Sequence, residues 1–185
     1  MSNKKGMIAV DINAVDLTNI NFEIYTDGSH EPGGVATIDL PEINFMSSEV
    51  TGAGILGQYD ASVMGHTENM ETTLHFRTIR QDLSLLLSQG QAVMLSAYGA
   101  SQMYDAGTGG VGVNPVRVVM RGIPKSLKAG KFEPGESSET EVTLTLDYVK
   151  ITANSKDVLE IDKFNYIFNV NGIDIISDVR SALGI

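Results

Sequence analysis

A mainly β fold, a β-sandwich or barrel with one or two flanking α-helices, is predicted by three features of the chain. Runs that alternate apolar and polar residues recur along most of its length, as in Val142, Leu144 and Leu146 against Glu141, Thr143 and Thr145. Glycine, asparagine and proline punctuate those runs at short intervals, the spacing of strands joined by turns. Only two stretches carry the 3.6-residue period of a helix.

The elements follow in order. Residues 1–20 have no sustained period and are expected to form an N-terminal arm, leaving 21–185 as a single domain. Alternation starts at Asn21 and stops at Thr26-Asp27-Gly28, and a second run spans Val35–Leu40 before Pro41. The two read as a hairpin around a loose loop containing Pro32-Gly33-Gly34. Residues 42–66 break the pattern: Gly52, Gly54 and Gly57 stand among Val50, Ile55, Leu56 and Met64, which suits a long loop or hairpin. Loops are ordinarily polar, so these apolar side chains call for a partner surface. Val50, Gly52, Gly54, Ile55 and Leu56 are the candidate contacts.

Glu71–Ile79 reads as a strand. Asp82–Gln89 reads as a helix, with Leu83, Leu86 and Leu87 on one face and Gly90 at the C-terminal cap. Strands are expected at Ala92–Tyr98 and Val116–Arg121, with a hairpin tip at Gly107–Gly112. In Thr140–Tyr148 the alternation is clean, and a bulge at Tyr148-Val149 would carry Val149 and Ile151 onto the apolar face. Strands at Val158–Ile161 and Phe164–Val170 lead to the turn Asn171-Gly172. A closing helix from Asp174 to Leu183 would bury Ile175, Ile176, Val179 and Leu183.

The 185 residues are 42% hydrophobic, enough for one domain with a core. There is no cysteine, which excludes disulfides and thiolate metal sites and fits folding in a reducing cytoplasm. The basic start Lys4-Lys5 is not followed by the apolar run of a secretory signal, and no stretch approaches the roughly 20 apolar residues of a membrane helix. The chain reads as soluble, with no membrane partner. Its net charge of −10 is uneven: residues 1–110 hold 13 acids and 4 bases, whereas 111–185 hold 10 and 9. An acidic half opposes wrapping nucleic acid, whose binding draws on Lys and Arg clusters. It suits either a solvated surface or one past which DNA slides without sticking.

Catalytic patterns are missing. His30, His66 and His75 have no metal-ligand spacing, so no metal or cofactor is expected. The glycines from Gly107 to Gly112 lack the Lys-Ser/Thr of a phosphate-binding loop and lead into a strand. No glycine-x-serine-x-glycine elbow occurs. Glu160 and Asp162, two apart on one strand face, read as solvated or interface-facing. One positive feature remains: Arg117, Arg121, Lys125, Lys128 and Lys131 fall in a stretch without an acid. Two readings compete for it, a solvated basic segment and a patch complementary to the acidic half of a neighbouring copy. The second would favour head-to-tail association.

The run Val118-Val119-Met120-Arg121-Gly122, then Lys128-Ala129-Gly130-Lys131-Phe132-Glu133-Pro134-Gly135-Glu136 and the long alternating strand that follows carry a resemblance, over 90–185, to the major tail tube proteins of contractile-tailed bacteriophages. It continues through Glu160-Ile161-Asp162-Lys163-Phe164-Asn165, Val170-Asn171-Gly172-Ile173-Asp174 and a closing helix with Arg180 and Leu183-Gly184. Residues 20–66 follow the family's order more loosely. The resemblance implies a structural protein, not an enzyme, that forms stacked hexameric rings. The rings make the inner tube of a contractile tail, or of a contractile bacteriocin particle. It implies as partners further copies of the chain, the tail sheath protein, a tape-measure protein, baseplate components and a tail terminator, with DNA only as passing cargo. Assembly in the host bacterial cytoplasm and residence in the virion tail would follow. A monomeric small-ligand-binding β-barrel is the rival reading and requires an enclosed apolar pocket. A hydrolase on a β scaffold is a third and requires a cleft with a hydrogen-bonded nucleophile and base.

Overall fold

The computed structural model describes residues 14–26, 29–30, 35–52, 54–79, 81, 83–87 and 90–184. Its elements are β1 (Ala14–Thr26), β2 (Ser29–His30), β3 (Val35–Asp39), β4 (Phe45–Val50), β5 (Tyr59–Thr67), β6 (Met70–Phe76), α1 (Leu83–Leu86) and β7 (Val93–Asp105). These are followed by β8 (Gly110–Lys128), β9 (Thr140–Ala153), β10 (Lys156–Asp162), β11 (Ile167–Val170), β12 (Ile173–Asp174) and α2 (Ser177–Leu183). The mainly β architecture matches expectation, but the main sheet stays open and closes into no barrel.

Ten strands share that sheet in the order β12-β11-β10-β9-β8-β7-β1-β2, with β3 and β6 branching from β9. The branch is possible because β9 is 14 residues long. On one edge it pairs first with β6, Thr140–Leu146, and then with β10, Tyr148–Ala153. Its other edge is held throughout by β8. Alternation along β6 sends Met70, Thr72, Leu74 and Phe76 inward. There the apolar residues join Val142, Leu144, Leu146 and Val149 of β9, Leu95 of β7 and Met120 of β8 in one core.

The expected phase slip on β9 is present, one residue earlier than the pattern suggested. Arg121 pairs with Tyr148 and Gly122 with Leu146, so Asp147 is the bulged residue. The slip buries Val149 completely and packs Ile151 against the core. Short turns behave as their residues dictate. Asn154 and Ser155 (φ 52° and 62°), like Asn171 and Gly172 (φ 51° and 73°), adopt the consecutive left-handed conformations of tight hairpin turns.

Several expectations need correction. Ala14–Ile20, assigned to an arm, already belong to β1, because β7 supplies a partner ladder from Asp105 onward. Residues 1–13 lie outside the described residues. The Asn21–Gly28 and Val35–Leu40 runs do not form a hairpin: β1 is paired by β7, and β3 crosses to β6, where Ile38 faces Leu74. The short strand at Val116–Arg121 is the middle of a 19-residue strand. It runs through Pro115, just before β9 pairing begins, and Pro124, beside a bulge, places where a sheet tolerates proline.

The helices are also shorter. Over 82–89, the described helix is α1 alone, which buries Leu83 and Leu86, while Asp82, Ser88 and Gln89 lie outside the described residues. The closing helix starts at Ser177, since Ile173 and Asp174 are drawn into pairing with β11. Of its expected stripe only Ile176, just before the helix, is buried; Ile175, Val179 and Leu183 remain exposed.

Candidate assembly surfaces

The stretch 42–66 contains a hairpin with its own two-stranded sheet, β4 with β5, separate from the main sheet. Its base is tied down: the Glu68 amide donates to the Asn44 carbonyl (2.8 Å), and the Phe45 ring lies 6.0 Å from that of Phe168. Gly65 approaches Ile176 so closely that a β-carbon would overlap it. The apex is free. Gly54 (φ 96°) and Gly57 (φ 100°) form the turn in conformations that favour glycine, and nothing crowds them or Gly52. Between them Leu56 is fully exposed and Ile55 41% exposed; Val50 at the end of β4 is 38% exposed, and Tyr59, Val63 and Met64 extend this apolar surface down β5. Every candidate contact residue of this segment is therefore on one projecting ribbon.

The five bases are not one free patch. Arg121 donates through Nε to Asp147 (2.7 Å) and through Nη2 to Asp162 (3.2 Å). Lys125 pairs with Glu71, Lys128 with Glu141 (2.7 Å) and Lys131 with Glu133 (3.0 Å). The three lysine pairs are exposed and contribute about 0–1 kcal/mol each, so a neighbour's acid could displace them at modest cost, whereas Arg121 is held by the buried Asp162. Arg117 alone of the five lacks a carboxylate partner among the described residues; it stands 5.0 Å over the Tyr98 ring. Sequence reading missed Tyr98. The β7–β8 register, closed by Asp105 opposite Gly110, sets Tyr98 opposite Arg117; counting outward from the expected Gly107–Gly112 tip would have set it opposite Arg121 instead.

Glu160 and Asp162, expected to be solvated or interface-facing, are bonded within the chain instead. Asp162 is buried. Burial alone would raise its pKa, but donors from the Asn165 side chain, the Asn165 and Phe164 amides, and Arg121 outweigh it and hold the carboxyl below its ordinary value. The Asp147 hydrogen bond, against the opposing effect of burial, keeps Arg121 above its usual range. Glu160 accepts from the Tyr148 hydroxyl (3.0 Å), and burial followed by that bond raises the Tyr148 pKa. His75 meets Asp39 at 2.8 Å. Among the described residues no group of His, Asp and Glu side chains is arranged to hold a metal ion, and no helix is long and apolar enough to cross a membrane.

The described residues define an open-sheet β protein with a projecting hairpin that carries exposed apolar side chains. The family comparison agrees: residues 18–184 match the model of phage tail tube protein FII, and the chain belongs to that family of structural tail proteins. It is similar to the tail tube protein of Escherichia phage P2, with 27% identity covering 89% of this chain and 95% of that one. The major tail tube protein of Serratia phage KSP20 is 22% identical, covering 89% and 94%. Among solved structures, the fold resembles the sheath/tube terminator of the extracellular contractile injection system PVC. The TM-score is 0.50 and the identity 15%, over 72% of this chain and 94% of the other.

Proposed function

We propose that the protein assembles into hexameric rings that stack as the inner tube of a contractile tail, the conduit for DNA delivery or membrane puncture. The observation that carries this reading is the family match over residues 18–184. Unpaired sheet edges support the ring. Beyond the two residues paired with β2, β1 has a partner on one side only among the described residues, an edge that a neighbour's strand can use. The exposed β4–β5 hairpin supports the stacking. Val50, Gly52, Gly54, Ile55 and Leu56 would contact the adjacent ring, and Arg117, Arg121, Lys125, Lys128 and Lys131 would meet a neighbour's acids.

In this reading the sheath protein covers the tube, a tape-measure protein threads it, and baseplate and terminator proteins bound its ends. The subunit assembles in the host bacterial cytoplasm and ends in the virion tail. Negative-stain microscopy of the purified protein tests the proposal directly. Rings or hollow tubes of uniform diameter are expected, and a strictly monomeric protein at high concentration would overturn it.

A further inference from the structure

The registers of β1, β7, β8 and β9 set Glu23, Tyr98, Arg117 and Thr152 side by side across one face of the sheet. They border an open hollow of about 440 Å³ whose lining is mainly apolar and includes Phe22 and Val116. Arg117 stands at this hollow, exposed, its guanidinium ordered over the Tyr98 ring at 5.0 Å. Its neighbours in sequence have spent their charge: Arg121, Lys125, Lys128 and Lys131 are ion-paired within the chain.

The complementary surface is on the β4–β5 hairpin. Glu49 and Asp60 are directly opposite one another on its ladder. There is no Lys or Arg between residues 45 and 67. Like charges directly opposite weaken a strand pair, and here nothing within the ribbon offsets them. A cation from outside would. One step beyond this acidic pair lies Val50 opposite Tyr59, and then the apex with exposed Ile55 and Leu56. The hairpin thus presents apolar side chains at its tip and two acids immediately behind, while the hollow presents an apolar floor with Arg117 on one side of Tyr98 and Glu23 on the other.

We propose that this hollow receives the β4–β5 hairpin of a second copy of the chain. Leu56 and Ile55 enter the hollow, and Glu49 with Asp60 close on Arg117. A planar guanidinium suits this place, because its fork can engage two carboxylates and stacking on Tyr98 has already ordered it. Donor and acceptor are different surfaces, so each copy gives one hairpin and takes another, and the contact propagates instead of closing a dimer. The proposal rests on the tube reading and adds to it the surface that receives the hairpin.

The absence of native cysteine makes a covalent test clean. The wild-type protein is first imaged for tubes. D60C/R117C is then oxidised under mild conditions beside D60C/R77C and D60C/K156C, which use other exposed bases without an ion pair among the described residues. A ladder of covalent oligomers is expected from D60C/R117C alone on a non-reducing gel. In parallel, R117E should raise the concentration needed for polymerisation at least tenfold with an unchanged melting temperature, and E49K/D60K/R117E should restore it. If R117E fails to fold, R117Q replaces it in the same assay. Wild-type tubes with the ladder confined to either control, with no ladder in any variant, or with folded R117E or R117Q polymerising normally, overturn this docking but leave the tube reading intact. A folded triple variant that stays depolymerised also counts against it. A wild-type protein that never forms rings or tubes overturns both.

Discussion

Arg121, Asp147 and Asp162 are far apart in sequence and meet because the β9 bulge turns Asp147 toward β8. The same bulge makes Gly122 necessary, since a β-carbon there would overlap the Thr145 carbonyl oxygen. Gly130 (φ 82°) is held as tightly, its α-carbon facing the Ser138 carbonyl. Asp162 is the buried member of the cluster, and removing its charge leaves Arg121 only Asp147 as a carboxylate partner. Asp162→Asn should cost roughly 2 kcal/mol in urea unfolding at pH 7, between the loss of one charge-assisted hydrogen bond and the rupture of a buried pair. The folded carboxyl is depressed. Its contribution is therefore fully present above the unfolded carboxylate range, about pH 4, and is lost as pH falls through the folded value. The gap between wild type and D162N should accordingly shrink below about pH 4. A gap that persists unchanged at low pH would show that the carboxylate charge is not what stabilises the turn.

At the scale of elements, the hairpin proposed for stacking and the closing helix lead to separate expectations for assembly and for folding. No described residue of the hairpin apex belongs to the core, so shortening Thr51–Gly57 should leave a cooperative unfolding transition with its midpoint nearly unmoved. Polymerisation should be lost, because burying a side chain such as Leu56 contributes about 1.5–3 kcal/mol and every copy in a ring would forgo it. Normal long tubes from the shortened protein would remove the hairpin from stacking; failure to fold would place it in the core. Around α2 the contrast lies within one segment. Ile176 is 6% exposed and Val179 37%. Ile176→Ala should destabilise the protein by about 2–4 kcal/mol, and Val179→Ser by under about 0.5 kcal/mol, in the same urea titration. Equal losses would mean that α2 packs more closely than its exposure implies.

For the whole molecule, the charge imbalance bears on the bore of the assembled tube. Residues 1–110 carry 13 acids against 4 bases, and we expect the inner wall to draw mainly on that acidic half. Exposed charges are largely screened beyond about 10 Å at 0.1 M salt, so such a lining would act as a short-range barrier that keeps DNA from adhering. A cryo-microscopy reconstruction of the tube measures this directly. A predominantly basic inner wall would reject the idea. An acidic one would explain how a chain of net charge −10 can enclose a polyanion.

Much of the architecture was legible in order alone. Alternation in Thr140–Leu146, the left-handed turn at Asn171-Gly172 and the glycine-rich segment at 51–57 are local properties, set by side-chain period and backbone sterics. Each kept its character in the fold. The apolar residues of the hairpin apex, unusual for a loop, are exposed in the single chain. Pairing partners and strand limits were decided by tertiary structure. β3 went to β6 instead of β1, and β8 ran through Pro115 and Pro124, because a strand's extent depends on which ladders its neighbours offer. The fate of the charges was decided in the same way. Five bases in a row say nothing of which acids lie across the sheet. Register between strands paired Arg121, Lys125 and Lys128 with acids across the sheet and left Arg117 stacked on Tyr98, while Lys131 took Glu133 two residues away in its own loop.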